Sequence, residues 1–215
     1  VPTARAGLFI FSLSKSQTGQ NVSFNVTFAP PPTLSTTTLT NGTLGVAQSQ
    51  TLAASAGTAP YDFTATGLPA GLTLARNGIL SGTPTEAGDF TVAITVTGGD
   101  GVAGTYSRAL TIARVDAVIG KAEVSPLTTA ANQPVTFSAS LEPVAGIYPT
   151  GDVSFMNGTT VLGTATLQAD GTASLVMSTL AVGTYDVSVT YPGDTRFFAA
   201  TKASVGQLTI NTPAI

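Results

Sequence analysis

Apolar and polar residues alternate strictly along several stretches of the chain: Val22, Phe24, Val26 and Phe28; Tyr61, Phe63 and Ala65; Phe90, Val92, Ile94 and Val96; Val135, Phe137, Ala139 and Leu141; Tyr185, Val187, Val189 and Tyr191. A period of two sends every second side chain to the same face, so each stretch predicts a strand buried on one side. Clusters of Gly, Pro, Asn and Asp punctuate these runs at short intervals, and no segment repeats apolar residues at i, i+3, i+4 and i+7 over a helical length. The pattern predicts an all-β chain folded as sandwiches.

The two halves share a local design. "GTPTEAGDFTVAITV" in the first and "STLAVGTYDVSVTY" in the second each place a glycine two residues before an aromatic that opens a four-member alternation. Gly88 with Phe90, and Gly183 with Tyr185, occupy the corner by which immunoglobulin-like sandwiches enter a late strand, where Tyr185 is placed to donate its hydroxyl backward. Phe90 has no hydroxyl to donate. The seam between the halves is "ARVDAVIGK", Ala113 to Lys121. The prediction is two tandem immunoglobulin-like β-sandwich domains, 33–113 and 114–215, after a short N-terminal β segment over 1–32. That segment holds "FIFSLS" and "NVSFNVTF", joined by "KSQTGQ". It reads as a hairpin or as the remnant of an upstream repeat, and because an isolated hairpin is marginal in water its apolar face needs a cover.

Within "GLPAGLTLARNGILSGTPTEAGDFTVAITV", Leu72 and Leu74 point toward a core, Asn77 and Gly78 supply the positive φ angles of a tight turn, and Ile79 opens the returning strand. Pro69 removes a donor at the strand's entrance, and Pro84 ends the pairing before the crossover to Phe90. Together with the preceding "GTAPYDF", this stretch resembles bacterial immunoglobulin repeats related to cadherin-like domains, over roughly Thr33 to Ala113. The second half, containing "YPTGDVSFMNGTTVLGTATLQADGTASLV" and "GTYDVSVTYPGDTRFF", is similar to another bacterial immunoglobulin-like repeat family, over roughly Ala117 to Thr212. The resemblance implies tandem modules of a large secreted or cell-surface bacterial protein, such as an adhesin or a multidomain hydrolase. Such modules act as spacers or interaction modules, with neighbouring repeats of the same polypeptide, a glycan or a host or cell-surface protein as partners.

Composition sharpens this picture. The chain has 215 residues, of which 9% are charged, and a net charge of -3 without runs of one sign. Its surface is therefore mostly hydroxyl and amide, with no basic stripe for nucleic acid and no cationic face for an anionic membrane. Apolar runs such as "GLFIF" fall far short of the roughly 18 residues that a membrane helix needs, so no membrane insertion is expected. Cysteine is absent, so neither a disulfide nor a thiolate metal site can form and the redox compartment is undetermined. An opening without Met and without a signal-peptide pattern points to a mature or excised segment. The expected state is a monomer.

Candidate chemistry is sparse. With no His and no Cys, the Ser-His-Asp and Cys-His designs and the usual nitrogen-ligand zinc site are impossible within the chain. "SLSK", Ser12 to Lys15, fits S-x-x-K, but that motif opens a helix and this one ends a strand. "GDGVAG", Gly99 to Gly104, satisfies G-x-G-x-x-G, yet "TYSRALTI" after it alternates as a strand and offers no helix N-terminus to a pyrophosphate. Asp62, Asp89, Asp100, Asp152, Asp170 and Asp194 are single acids beside turns, which assigns them to turn capping rather than calcium. An internal isopeptide bond between Lys121 and Asn211 would need a buried acid, with Glu123 and Glu142 as the candidates. The sequons at Asn21, Asn25, Asn41 and Asn157 read as strand and turn residues in a chain of bacterial character. Tyr148, Tyr191, Phe197 and Phe198 are the aromatics left for exposed stacking on a sugar. No catalytic, cofactor-binding or metal-binding residue is assigned, and no cofactor. The function expected is that of a non-catalytic spacer or interaction module; the alternative is a carbohydrate-binding accessory module of a secreted enzyme or adhesin.

Overall fold

The structure is a computed structural model that describes residues 29–213 and the backbone of 8–14 and 21–27. These residues form strands, bridges and turns, with no helix among them. In chain order the strands of the first half are β1 (Leu8–Ser14), β2 (Asn21–Thr27), β3 (Thr33–Leu34), β4 (Gly42–Thr43), β5 (Gln48–Thr51), β6 (Ala54–Ser55), β7 (Asp62–Thr66), β8 (Leu72–Leu74), β9 (Ile79–Gly82), β10 (Gly88–Thr97) and β11 (Ala103–Ala113). Those of the second half are β12 (Val115–Asp116), β13 (Ile119–Ser125), β14 (Thr128–Ala130), β15 (Val135–Leu141), β16 (Asp152–Asn157), β17 (Thr160–Thr166), β18 (Thr172–Met177), β19 (Gly183–Tyr191), β20 (Phe197–Phe198) and β21 (Ala200–Asn211). β1 and β2 pair antiparallel with Phe11 opposite Phe24. Lys15 of "SLSK" and the "KSQTGQ" connection lie outside the described residues.

Spatial proximity divides the chain into two units. The first takes residues up to Thr40, Ala47–Gly82 and Asp89–Leu110. Its layers are β11-β10-β7 and β5-β9-β8, with β3 and β6 as a short extra pair. The alternation read from the sequence becomes the core: Phe63 from β7, Val92, Ile94 and Val96 from β10, and Leu110 from β11 are buried with Leu72 and Leu80 from the other sheet. "GDGVAG" is the β10–β11 connection, with Gly98 N donating to the Val102 carbonyl at 2.8 Å, and β11 follows at once where a dinucleotide site needs a helix.

The second unit takes Thr111–Ile215 together with Asn41–Val46 and Thr83–Gly88. One sheet has the order β13-β15-β18 and the other β14-β21-β19-β16-β17. Pro126 has no N–H to donate, so the antiparallel pairing of β13 with β15 stops at Ser125 and the chain crosses to lie parallel to β21 as β14. The core interleaves Val135, Phe137, Ala139 and Leu141 of β15 with Val153 and Phe155 of β16, Val187, Val189 and Tyr191 of β19, and Leu208 and Ile210 of β21. The rings of Phe137 and Phe155 meet across the layers at 5.4 Å, tilted by 49°. Tyr185 hydroxyl donates to the Ala181 carbonyl at 2.8 Å, the backward bond expected of a tyrosine corner.

The β8–β9 turn departs from expectation. Gly78 has φ +85°, but Asn77 is not among the residues of positive φ. Gly78 N donates to the Ala75 carbonyl and Ala75 N to the Ile79 carbonyl, both at 2.9 Å, which makes a three-residue loop: a type I turn closed by a left-handed glycine. Such a loop asks for left-handed backbone only at its last position, and the Asn77 side chain instead accepts from Ile79 N at 3.3 Å. A Cβ at Gly78 would lie 2.8 Å from the Leu52 carbonyl oxygen. Gly78→Ala is therefore expected to cost about 1–3 kcal/mol in urea denaturation, from left-handed strain and that clash, whereas Asn77→Ala costs less. The reverse ranking would restore the turn with two left-handed residues.

Candidate functional site at the loop end of the second unit

The best-built polar cluster among the described residues sits in "YPGDTRFF", between β19 and β21. Asp194 follows Gly193, whose φ is +89° and where a Cβ would lie 2.8 Å from the Phe197 carbonyl oxygen, so the chain can double back here only through glycine. The Asp194 side chain is 13% exposed. Its Oδ1 accepts from Arg196 N at 2.7 Å and Phe197 N at 2.8 Å; its Oδ2 accepts from Thr150 N at 2.9 Å and Thr150 Oγ1 at 2.8 Å. Arg196 lies 3.8 Å from the same carboxylate and donates to the Tyr148 carbonyl at 3.1 Å. Tyr191 hydroxyl donates to the Thr150 carbonyl at 2.9 Å. Burial pushes the Asp194 carboxyl up, but the bonds from Arg196, Thr150 and Phe197 outweigh it and hold the group below its ordinary value. Burial, reinforced by the charge of Asp194, pushes the Tyr191 phenol up to about 12.

This carboxylate organises backbone. The turn it caps seats Phe197 in the core with no exposure, and it presents β20 to pair in parallel with β12, Val115 opposite Phe197 and Asp116 opposite Phe198. Arg114 donates to the Asp194 carbonyl at 3.3 Å and its guanidinium lies 4.3 Å from the centre of the Phe198 ring. The "ARVDAVIGK" stretch is thus built into the second unit by a strand pair, a stacked cation and the buried Ala117. A further segment joins the same unit. Ile112 and Ala113 pair in parallel with Gly42 and Thr43, Thr111 N donates to Asn41 Oδ1 at 3.0 Å, and Gly45 N donates to the Pro84 carbonyl at 2.9 Å. Leu44, fully buried, enters the same core cluster as Phe137 and Phe197. Gly45, at φ +72°, leaves 2.7 Å between a would-be Cβ and Val144 Cγ1, so the approach tolerates no side chain.

Both oxygens of Asp194 are taken up by donors of the chain itself. Among the described residues no three acids come together as metal ligands. Asp100 and Asp170 cap turns as expected: Asp100 accepts from Val102 N at 3.1 Å and Thr58 Oγ1 at 2.9 Å, and Asp170 from Thr172 N at 3.0 Å and Thr172 Oγ1 at 2.6 Å. Lys121 pairs with Glu123 at 3.0 Å, both side chains more than half exposed, and Glu142 and Asn211 are exposed as well. The buried acid that a Lys121–Asn211 cross-link needs is in neither Glu123 nor Glu142. Of the aromatics reserved for stacking, Tyr191 and Phe197 are core residues, 1% and 0% exposed. Phe198 is exposed but carries Arg114 on its ring. The cavity lined by Thr40, Gln48, Ser49, Gln50 and Leu80 is about 20 Å³, room for one water; two surface grooves of the second unit are larger, about 220 Å³ between Lys121, Glu123, Ser138 and Thr172 and about 430 Å³ between Glu123, Ser125, Leu127 and Val205, and neither is lined by an aromatic ring. Leu44 was invisible in the sequence because its segment, "NGTLGVAQ", has no alternation; the one signal was a lone leucine between glycines in a polar stretch.

Residues 122–211 match the family model "Bacterial Ig-like domain (group 3)" and residues 30–113 the model "Putative Ig domain". No curated protein matches the chain. Among solved structures, a three-Ig titin segment aligns over 100% of this chain and 77% of its own at 13% identity, TM-score 0.44. The Yersinia pseudotuberculosis adhesin InvE aligns over 84% of this chain and 58% of its own at 15% identity, TM-score 0.39. A Bacteroides fragilis "putative alpha-galactosidase/melibiase" shares 18% identity over 41% of this chain, TM-score 0.36; the aligned part is 20% of that enzyme's length.

Leu44→Ala is expected to destabilise the second unit by about 2–5 kcal/mol, as for other leucines removed from a closed core. Amide hydrogen exchange in β19 and β21 reads this directly, and unchanged protection would remove Leu44 from that core. The folded Asp194 value lies below the unfolded one of about 3.9, so its stabilisation is complete above that pH and is lost as pH falls through the lower folded value. Asp194→Asn is expected to flatten the acid limb of a plot of Tm against pH below about 4; a limb as steep as the parent's would assign it to other acids.

Proposed function

We propose that this chain, a tandem of bacterial immunoglobulin-like repeats, is a non-catalytic structural spacer or interaction module of a large bacterial protein, secreted or displayed at the cell surface as adhesins are. The repeats are taken as 33–113 and 114–215, after the β segment at 1–32. One observation carries the reading: the densest polar network among the described residues, centred on Asp194, spends its hydrogen bonds on the chain's own backbone beside the place where 114–116 is fastened to the loop at 194–198. A catalytic or ligand-binding cluster keeps some capacity turned outward. This one ties strands. Neutral hydroxyl side chains over much of the surface fit a module that presents other domains without attracting bystanders. The carbohydrate-binding alternative loses support with Tyr191 and Phe197 in the core, since a sugar needs exposed rings.

A spacer of this kind is expected to keep its Tm in EDTA, because its stability comes from packing and capped turns; a fall of more than a few degrees would reveal a stabilising ion. On a glycan array the chain is expected to stay at background. Saturable binding to one glycan, abolished by Phe198→Ala, would replace the spacer by a sugar-binding module.

A further inference from the structure

Five places in the chain put glycine directly after Asn or Asp: Asn41-Gly42, Asn77-Gly78, Asp100-Gly101, Asn157-Gly158 and Asp170-Gly171. A glycine amide nitrogen, unshielded by a Cβ, can attack the γ-carbonyl of the residue before it, so every pair carries the same latent reaction. The fold disarms four of them. Gly78 N donates to the Ala75 carbonyl, Gly101 N to the Gly98 carbonyl and Gly171 N to the Gln168 carbonyl, each at 2.9 Å, and a nitrogen bonded this way must break that bond before it acts as a nucleophile. Gly78 is also buried, with the Phe63 ring against it. The two aspartates are poor electrophiles as well, because a carboxylate that accepts from an amide, as Asp100 does from Val102 N and Asp170 from Thr172 N, stays ionised. Gly42 lies within β4, opposite Ile112 of β11, so a reaction at Asn41 would take a strand pair apart.

Asn157-Gly158 differs at the nucleophile. Asn157 ends β16 opposite Thr160, and Gly158 opens the two-residue turn to β17 with φ +59°. Gly158 is exposed, a Cβ built on it would meet no atom beyond its chain neighbours within 4 Å, and among the described residues its N–H has no hydrogen-bond partner. The electrophile beside it is prepared. Asn157 Oδ1 accepts from Asp186 N at 3.0 Å, which polarises the carbonyl and gives the oxyanion of an attacked Cγ a donor already in place. Asn41 Oδ1 also has a donor, Thr111 N at 3.0 Å, so the free glycine nitrogen is what sets Asn157 apart. We propose that Asn157 is a spontaneous deamidation site, with water as the co-reactant. Gly158 N gives up its proton and bonds to Asn157 Cγ; the Cγ–Nδ2 bond breaks, and ammonia leaves with that proton. The resulting succinimide ring is opened by water, at the side-chain carbonyl to give aspartate or at the main-chain carbonyl to give isoaspartate. Either product adds one negative charge to a net charge of -3. The aspartate form keeps an acceptor for Asp186 N, and the isoaspartate form lengthens the main chain only at the turn, so the core layers keep their register while the change accumulates with the age of the chain.

The three Asn-Gly pairs share one dipeptide, so each is a control for the others in the same tube. The full chain is held in warm, mildly alkaline buffer, folded and again in concentrated urea, and conversion at each asparagine is followed by peptide mapping with mass spectrometry. In the folded chain Asn157 is expected to convert about tenfold faster than Asn41 and Asn77, and to yield isoaspartate beside aspartate, the mark of the ring. In urea the three rates are expected to come together. Gly158→Ala, at an exposed turn and checked for an unchanged Tm, is expected to slow Asn157 about tenfold and leave the other two as they were. Asn41 or Asn77 keeping pace with Asn157 in the folded chain, an advantage that persists in urea, aspartate without isoaspartate, or a rate indifferent to Gly158→Ala would each overturn the proposal.

Discussion

A carboxylate that is 13% exposed has lost most of its water, and it stays ionised only if donors replace that water. Asp194 takes them from Thr150, Arg196 and Phe197, and the geometry of that supply sets everything around it. To reach Oδ1, two successive amides must point inward, which bends the chain at Gly193 and turns Phe197 into the core. To reach Oδ2, the loop at Tyr148–Thr150 must lie against the same turn, where the Tyr191 hydroxyl and Arg196 hold it by its carbonyls. β20 then has the direction that pairs with β12, and the chain leaving Ala113 is captured. One charge thus fastens residues 114–116 to the second unit.

The strand rows were legible because a period of two is a property of neighbouring residues and survives any tertiary arrangement. Val135 to Leu141 and Val187 to Tyr191 are buried as the alternation requires, and Tyr185 makes the backward bond its glycine implied. What the alternation does not encode is which partner a loop meets. Leu44 sits in no pattern, yet is fully buried, because it enters a core cluster with Phe137 and Phe197, both more than ninety residues further along the chain. Tyr191 counts both in the alternation of its strand and among the aromatics left for stacking, and the alternation is what the structure follows; Phe197 lies in a loop without alternation and is turned inward by the bonds that Asp194 accepts from the Arg196 and Phe197 amides. The Asn77–Gly78 turn shows a finer limit. A hairpin was correctly located, but two turn types share that dipeptide, and the three-residue loop is chosen by the flanking register of Leu74 with Leu80.

The chain has only 8 basic and 11 acidic residues, so the placing of each bears weight. A surface rich in Ser and Thr is solvated without them, which frees the charges for tasks that hydroxyls do poorly. In the second unit several go to joints: Asp194 with Arg196 at the loop end, Arg114 on Phe198, and Lys202, whose amine donates to the Gly120 carbonyl at 2.8 Å where β13 shifts its register. Lys121 and Glu123 go to an edge. The physical content of the arrangement is therefore a division of labour: charge fastens the loop end and marks the β13 edge, while apolar alternation builds the layers.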